Sequence, residues 1–252
     1  AELVYLMRTQ AADFGIQAEN LSFDYSAAYK RSRQVSERLT KGVSFLLKKN
    51  NITVIEGHGE IANPGEVLVR TVDGRMQTLS TRNVVLATGA HPTVIPGMEP
   101  DGEKILDYED AILLQELPKS AVIIGAGAVG VEFATVWSAY GVEVHIVEML
   151  PHILPAEDDE AAAELSKAFR KRGVKIHAGT KVQSVQKTEN GVEVQIAGEK
   201  GEATLIAEAV LVAVGFKPNS TNIGLEKVGV AVDQRGFVQI DERMATNIPG
   251  IW

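Results

Sequence analysis

Residues 120–148, SAVIIGAGAVGVEFATVWSAYGVEVHIVE, constrain the possible folds of this chain more than any other stretch. An apolar run at 121–124 enters a turn containing Gly125, Gly127 and Gly130. A helical segment follows, then Gly141, then a β-rich run at 142–147 that closes on Glu148. Glycines at this spacing permit, in order, a tight turn, close approach of backbone to a pyrophosphate, and close packing of helix on strand. The start of the helix offers unspent N–H groups to an anion. Ala126, Ala128 and Val129 fill the places between the glycines, and Glu148 stands 18 residues after Gly130. An acid there can accept both ribose hydroxyls of NAD, and it would repel the 2′-phosphate of NADP. A glycine triplet alone is a weak signal. Framed by two strands, a helix and a terminal acid, it predicts a dinucleotide site rather than an ordinary βαβ turn.

The chain contains no cysteine, so it supplies neither thiol nor disulfide to any redox step. That composition also excludes a disulfide scaffold and thiolate zinc sites, and it fits a reducing compartment. At 252 residues there is room for one large domain or two modest ones. Hydrophobic content of 45% and charged content of 23% are ordinary for a soluble protein. A net charge of −8 without a basic stripe argues against a nucleic-acid partner. No run approaches the roughly 18 apolar residues of a membrane span, and a cytoplasmic location is expected. The histidines (His58, His91, His145, His152, His177) are scattered without metal-ligand spacing. Glu157, Asp158, Asp159 and Glu160 read as an acid-rich helix start rather than a metal site, so no metal is expected.

A helix is predicted from residue 1 to about 15, stopped by Gly15, and a long one from Tyr25 to Lys49. In the long helix Val35, Leu39, Val43, Leu46 and Leu47 form a core-facing stripe, opposite a solvated basic face of Lys30, Arg31, Arg33, Arg38 and Lys41. Strands are expected at 52–55, 66–70, 76–79 and 84–87, with Asp73-Gly74 as a hairpin turn. Prolines and glycines between 92 and 102 mark an exposed connection and the best candidate for a domain boundary, before a helix at 107–114. After Glu148 a loop leads to a helix at 158–172, stopped by Gly173. Strands follow at 174–177, 181–187 and 192–196, and the wholly apolar run 209–214 suits a buried parallel strand. This alternation makes the fold class α/β: a Rossmann-like, doubly wound sheet flanked by antiparallel strands. The chain opens without methionine and stops at NIPGIW, so both ends look cut and a longer parent is expected.

The motifs also come in a telling order. Ala87-Thr88-Gly89 is followed by LPKSAVIIGAGAVGVEFA, VEMLPHILPAEDDE, VAVGFKPN, GVAVDQRGFVQID (229–241) and TNIPGIW (246–252). Over essentially the whole chain this resembles the flavoprotein disulfide reductases, or pyridine nucleotide-disulfide oxidoreductases, and within them the dihydrolipoamide dehydrogenase branch. The resemblance implies a partial FAD-binding domain at 1–117, an inserted NAD-binding domain at 118–218, and the start of a return into the FAD domain at 219–252. It implies that Gly125, Ala126, Gly127, Ala128, Val129, Gly130 and Glu148 hold NAD, with Gly215 on the nicotinamide side and a Val182 backbone contact at the adenine end. Glu132 resembles the acid that pairs with an active-site lysine beside the flavin and is the catalytic candidate, although its place also suits a simple helix-dipole partner. Thr88, Gly89 and Ala90 match a turn against FAD, and Gly59 matches a contact to the FAD adenosine. Lys217 reads as a surface residue.

Other parts of the family pattern are missing from the sequence: the FAD-binding GxGxxG, the Cys-x4-Cys redox pair, the Ala-x-Gly-Asp motif and the interface domain with its His–Glu pair. The resemblance therefore implies a homodimeric parent enzyme, of which this chain is a part inactive by itself. That parent would pass electrons from dihydrolipoamide through a disulfide and FAD to NAD. The dihydrolipoamide would be carried on a lipoyl domain of a 2-oxoacid dehydrogenase or glycine cleavage complex. Two alternatives stay open. One is another member of the family (mercuric or glutathione reductase, or a transhydrogenase), with Glu148 arguing against the NADP users. The other is a stand-alone, non-catalytic NAD(H)-binding module.

Overall fold

A computed structural model describes residues 1–17, 19–199 and 201–252. The first half of the chain forms α1 (Glu2–Thr9), a 3-10 turn (Ala11–Phe14), α2 (Tyr25–Lys49), β1 (Gly57–Asn63), β2 (Glu66–Thr71), β3 (Met76–Ser80), β4 (Ala90–Pro92), β5 (Ile105–Leu106) and α3 (Tyr108–Leu113). Then come β6 (Ser120–Ile124), α4 (Ala128–Tyr140), β7 (Glu143–Val147), α5 (Asp159–Lys171) and β8 (Lys175–His177). The remainder is β9 (Thr180–Thr188), β10 (Gly191–Gly198), β11 (Gly201–Ala207), β12 (Ala209–Val212), β13 (Phe216–Pro218) and α6 (Leu225–Val228). Two compact units result: residues 1–36 with 92–215, and residues 37–91 with 216–252. Among the described residues no helix is long and apolar enough to cross a membrane.

The first unit is built on a five-stranded sheet in the order β5-β12-β6-β7-β8, parallel throughout. Side chains along a strand alternate between its faces. Ala121 and Ile123 of β6, with Ala209 and Leu211 of β12, therefore enter one core beside Trp137 of α4 and Phe169 of α5. Val122, Ile124, Val210 and Val212 enter the other, against Val185, Val192, Val194 and Ile196 of the antiparallel meander β9-β10-β11. Burial on both faces is why these strands are continuous apolar runs. The α/β class read from the sequence holds, with helices on one face and the meander on the other. Asp107 caps α3 in a capping box with Asp110, and Asp158 caps α5, so the acid-rich stretch is a helix start. The N-terminal helix is shorter than expected, ending at Thr9 before the 3-10 turn. Its Arg8 donates to the carbonyl of Ala139 at 2.9 Å, and the Arg172 guanidinium lies 4.2 Å over the Tyr5 ring and 3.0 Å from Glu2.

In the second unit β1, β2 and β3 form an antiparallel meander, and a small core gathers Ile61, Ile223, Leu225, Val230 and Ile251. The long helix α2, of which residues 37–49 belong to this unit and 25–36 to the first, has the expected bounds, but no residue of it is buried, and Leu39, Val43 and Leu46 are all more than half exposed. An amphipathic pattern selects a face; burying that face requires a partner element. Residues 52–55 form no strand, and 84–87 contribute one parallel bridge, Val84 to Ile251, with the Leu86 N–H donating to the Trp252 carbonyl. β5 and β11 carried too little local signal to be read. The first is two residues long, and the second is exposed along most of its length.

Candidate functional site

In the parallel sheet β6 and β12 are neighbours, and the chain continues from β6 to β7 on the opposite side. Open α/β sheets bind ligands at the carboxyl ends of strands flanking such a switch point. Gly125 follows β6 with φ of 99°, and a Cβ there would lie 2.4 Å from the Ala213 carbonyl oxygen, just past β12. Gly130 lies in the first turn of α4, and a Cβ on it would be 2.1 Å from the Gly125 oxygen and 3.3 Å from Ile123. Gly127 has an ordinary φ of −71°, and nothing lies within 4 Å of the place its Cβ would take. It is the N-cap of α4 and supplies no side-chain cap. The first intrahelical bond runs from Val131 N–H to the Gly127 carbonyl, so the N–H groups of Ala128, Val129 and Gly130 precede the helical ladder. An open space beside unspent donors at the positive end of a helix suits an anion.

Glu148 is the one buried charged side chain among the described residues, 8% exposed. One carboxylate oxygen accepts the Ala126 N–H at 2.8 Å, and the other accepts the Leu150 N–H at 2.8 Å. Two charge-assisted bonds offset burial of the charge and leave lone pairs for further donors. The Glu148 N–H donates to the His177 carbonyl at 2.9 Å, and Leu154 N–H closes on the Ala126 carbonyl at 2.8 Å. The fold thus brings the glycine turn and the acid into direct contact.

The other expected residues are placed less tightly. Gly215 lies in an exposed turn two residues past Ala213, with φ of 100° and its carbonyl accepting the Thr93 N–H. Val182 pairs with Ile196 and packs against the second core, with no hydrogen bond to the glycine turn. Glu132 is exposed on α4. In the second unit Gly59 lies in β1 opposite Val69, and Thr88 and Gly89 make an exposed turn into Ala90, the first residue of β4, with Gly89 at φ of 69°. Asn219, which sequence reasoning passed over within VAVGFKPN, holds that turn. Its side-chain amide donates to the Thr88 carbonyl and its N–H to the Gly89 carbonyl, both at 3.0 Å, while its Oδ1 lies 2.7 Å from His91 Nδ1. Leu150, Leu154 and Ala213 were also missed, because they contribute through the backbone and their residue types carry no signal. Of the scattered histidines two meet, His145 of β7 and His177 of β8, diagonally across the paired strands.

A glycine turn at the switch point of a parallel sheet, opening a helix and backed by a buried acid, places the chain in the Rossmann-like class of α/β proteins. Residues 6–252 match the family model described as Pyridine nucleotide-disulphide oxidoreductase, and the chain belongs to that family. Among curated relatives, dihydrolipoyl dehydrogenase of Mycobacterium tuberculosis is 43% identical over 100% of this chain and 54% of its own length. The enzyme of the same name from Chlorobaculum tepidum is 41% identical over 95% of this chain and 51% of its own. Among solved structures, LpdA of Mycobacterium tuberculosis superposes with a TM-score of 0.89 at 28% identity, covering 100% of this chain and 54% of that one. RclA of Escherichia coli, a flavoprotein disulfide reductase induced by HOCl, gives 0.78 at 31% identity over 91% and 52%. The chain thus spans about half the length of the relatives it matches. The branch resemblance read from the motif order holds.

Proposed function

We propose that this chain is the NAD-binding core, with part of the FAD cradle, of a dihydrolipoyl dehydrogenase. One observation carries the reading above the others: the Glu148 carboxylate rests on the Ala126 N–H, so acid and glycine turn act as one site. The residues present fit a dinucleotide, since the open space at Gly127 admits a pyrophosphate that the donors of 128–130 can bind. Glu148 then accepts the ribose hydroxyls, and its charge disfavours a 2′-phosphate. Gly215 lines the nicotinamide side, and Val182 meets the adenine end through its backbone. Glu132, exposed near the start of α4, pairs with a lysine beside the flavin and is the catalytic candidate. Thr88, Gly89 and Ala90 face FAD with Asn219 as their brace, and Gly59 meets the FAD adenosine. The corresponding domains are 1–117 and 219–252 for FAD and 118–218 for NAD.

In this reading the cofactors supply the hydride chemistry, and the chain's residues bind and orient them. The whole protein is a cytoplasmic homodimer. It takes electrons from dihydrolipoamide on a lipoyl domain of a 2-oxoacid dehydrogenase or glycine cleavage complex, through a disulfide and FAD, to NAD. The 252 residues contain no cysteine, so the purified chain is expected to be inactive towards dihydrolipoamide, and turnover by it would overturn this assignment. The likeness to RclA favours a second reading, another disulfide reductase of the same family. Calorimetric titration with NADH and then NADPH tests the first. Clear preference for NADH supports the roles given to 125–130 and Glu148, whereas equal binding of both removes Glu148 as the discriminator.

A further inference from the structure

The edge of the parallel sheet carries a histidine pair that the proposed function does not use. His145 of β7 and His177 of β8 have ring centroids 5.3 Å apart and planes within 11°. His145 Nδ1 lies 3.2 Å from His177 Nε2. Such a bond needs a proton on one nitrogen and a lone pair on the other. His177 also touches the candidate site through its backbone. It is in register with Val147, and its carbonyl accepts the N–H of Glu148 at 2.9 Å.

Glu143 Oε1 lies 3.6 Å from His145 Nε2 and 2.5 Å from Lys175 Nζ. β6, beside β7, presents no titratable side chain, and the Lys181 and Lys187 side chains of β9 are exposed, the latter paired with Asp101 at 3.0 Å. Burial and then the Lys175 charge hold His145 below the ordinary imidazole range, against the pull of Glu143.

We propose that the His145–His177 pair is a proton-sensitive support for Glu148, so that acidification weakens nucleotide binding through side chains that never touch the nucleotide. The inference rests on the reading of 125–130 and Glu148 as the nucleotide site. With both imidazoles protonated neither nitrogen retains a lone pair, and two like charges face each other at hydrogen-bond distance. The pair separates, the end of β8 shifts against β7, and Glu148 loses the carbonyl that anchors its N–H. His145 and His177 are positioning residues in this scheme.

NAD+, which tolerates acid, is the probe, titrated calorimetrically into the wild-type chain, His145→Gln and His177→Gln in steps from about pH 8 down to about pH 5, because His145 takes its proton below the ordinary imidazole range. Wild-type affinity should fall about fivefold or more on acidification, and each glutamine variant should change by less than about twofold. An equal fall in all three proteins would overturn the proposal, since the proton would then act elsewhere. A second measurement depends neither on the variants folding nor on nucleotide binding. In wild-type NMR spectra the Glu148 amide should titrate with the midpoint of the histidine rings, and an amide indifferent to them would overturn the coupling. Failure of NAD+ to bind at about pH 8, with the Glu148 amide still following the rings, would remove the nucleotide reading while supporting the coupling.

Discussion

Gly127 and Gly130 stand three residues apart and are glycine for opposite reasons. At Gly130 a methyl group would sit 2.1 Å from a backbone oxygen, and backbone cannot swing aside as a side-chain tip can. Gly130→Ala should therefore destabilise the fold by about 1–3 kcal/mol, read as a lower melting temperature. At Gly127 the space is open and φ is ordinary, so Gly127→Ala should melt within about 1 kcal/mol of wild type. If a pyrophosphate lies there, the same variant should lose about tenfold or more in NADH affinity, because the added methyl occupies the approach. Glu148→Ala should also weaken NADH about tenfold or more, a charge-assisted hydrogen bond being worth roughly 1.5–3 kcal/mol. That variant additionally orphans the Ala126 and Leu150 N–H groups, so it should melt lower than Glu148→Gln, which keeps one acceptor oxygen. Unchanged NADH affinity in both would take Glu148 out of the site.

At the scale of the element, short-range caps decide where segments begin. Asp158 accepts the N–H groups of Glu160 and Ala161, and Asp158→Ala should cost about 0.5–2 kcal/mol, seen as an earlier thermal transition. Just before β5, Asp101 Oδ1 accepts the N–H groups of Glu103, Lys104 and Ile105, while Oδ2 meets Lys187. Burial pushes the Asp101 carboxyl up. The N–H groups of Glu103 and Ile105 and the Lys187 ammonium outweigh burial and hold it well below the usual carboxylate range. A carboxyl depressed by folding adds stability that is complete above its unfolded value and is lost as pH falls towards the folded one. Stability should therefore decline below about pH 4 in the wild type. Asp101→Asn should be less stable at neutral pH and show a shallower acid decline, and parallel declines in acid melts would remove Asp101 from the account.

At the scale of the molecule, the second unit leaves Leu39, Val43, Phe45, Leu46, Ile52, Val54, Val72 and Val85 largely exposed. Large apolar side chains left in water favour association. The purified chain should associate with rising concentration and bind a hydrophobic dye, and a clean monomer without dye binding in sedimentation experiments would contradict this. Association of this kind is governed by tertiary burial, which the α2 stripe shows to be the part sequence reasoning could not supply. What the sequence by itself determined lies within short spans. The βαβ unit from Ser120 to Glu148, the bounds of α2, the Asp158 start of α5 and the Asp73-Gly74 turn follow from periodicity, caps and left-handed glycines. Only the tertiary structure set Ala213 behind Gly125, Asn219 on Thr88 across 131 positions, and His145 against His177 across 32. The reason is physical. Local preferences act over a few residues of one segment, whereas strand order and the covering of an apolar face depend on distant segments whose meeting leaves no periodic mark in either.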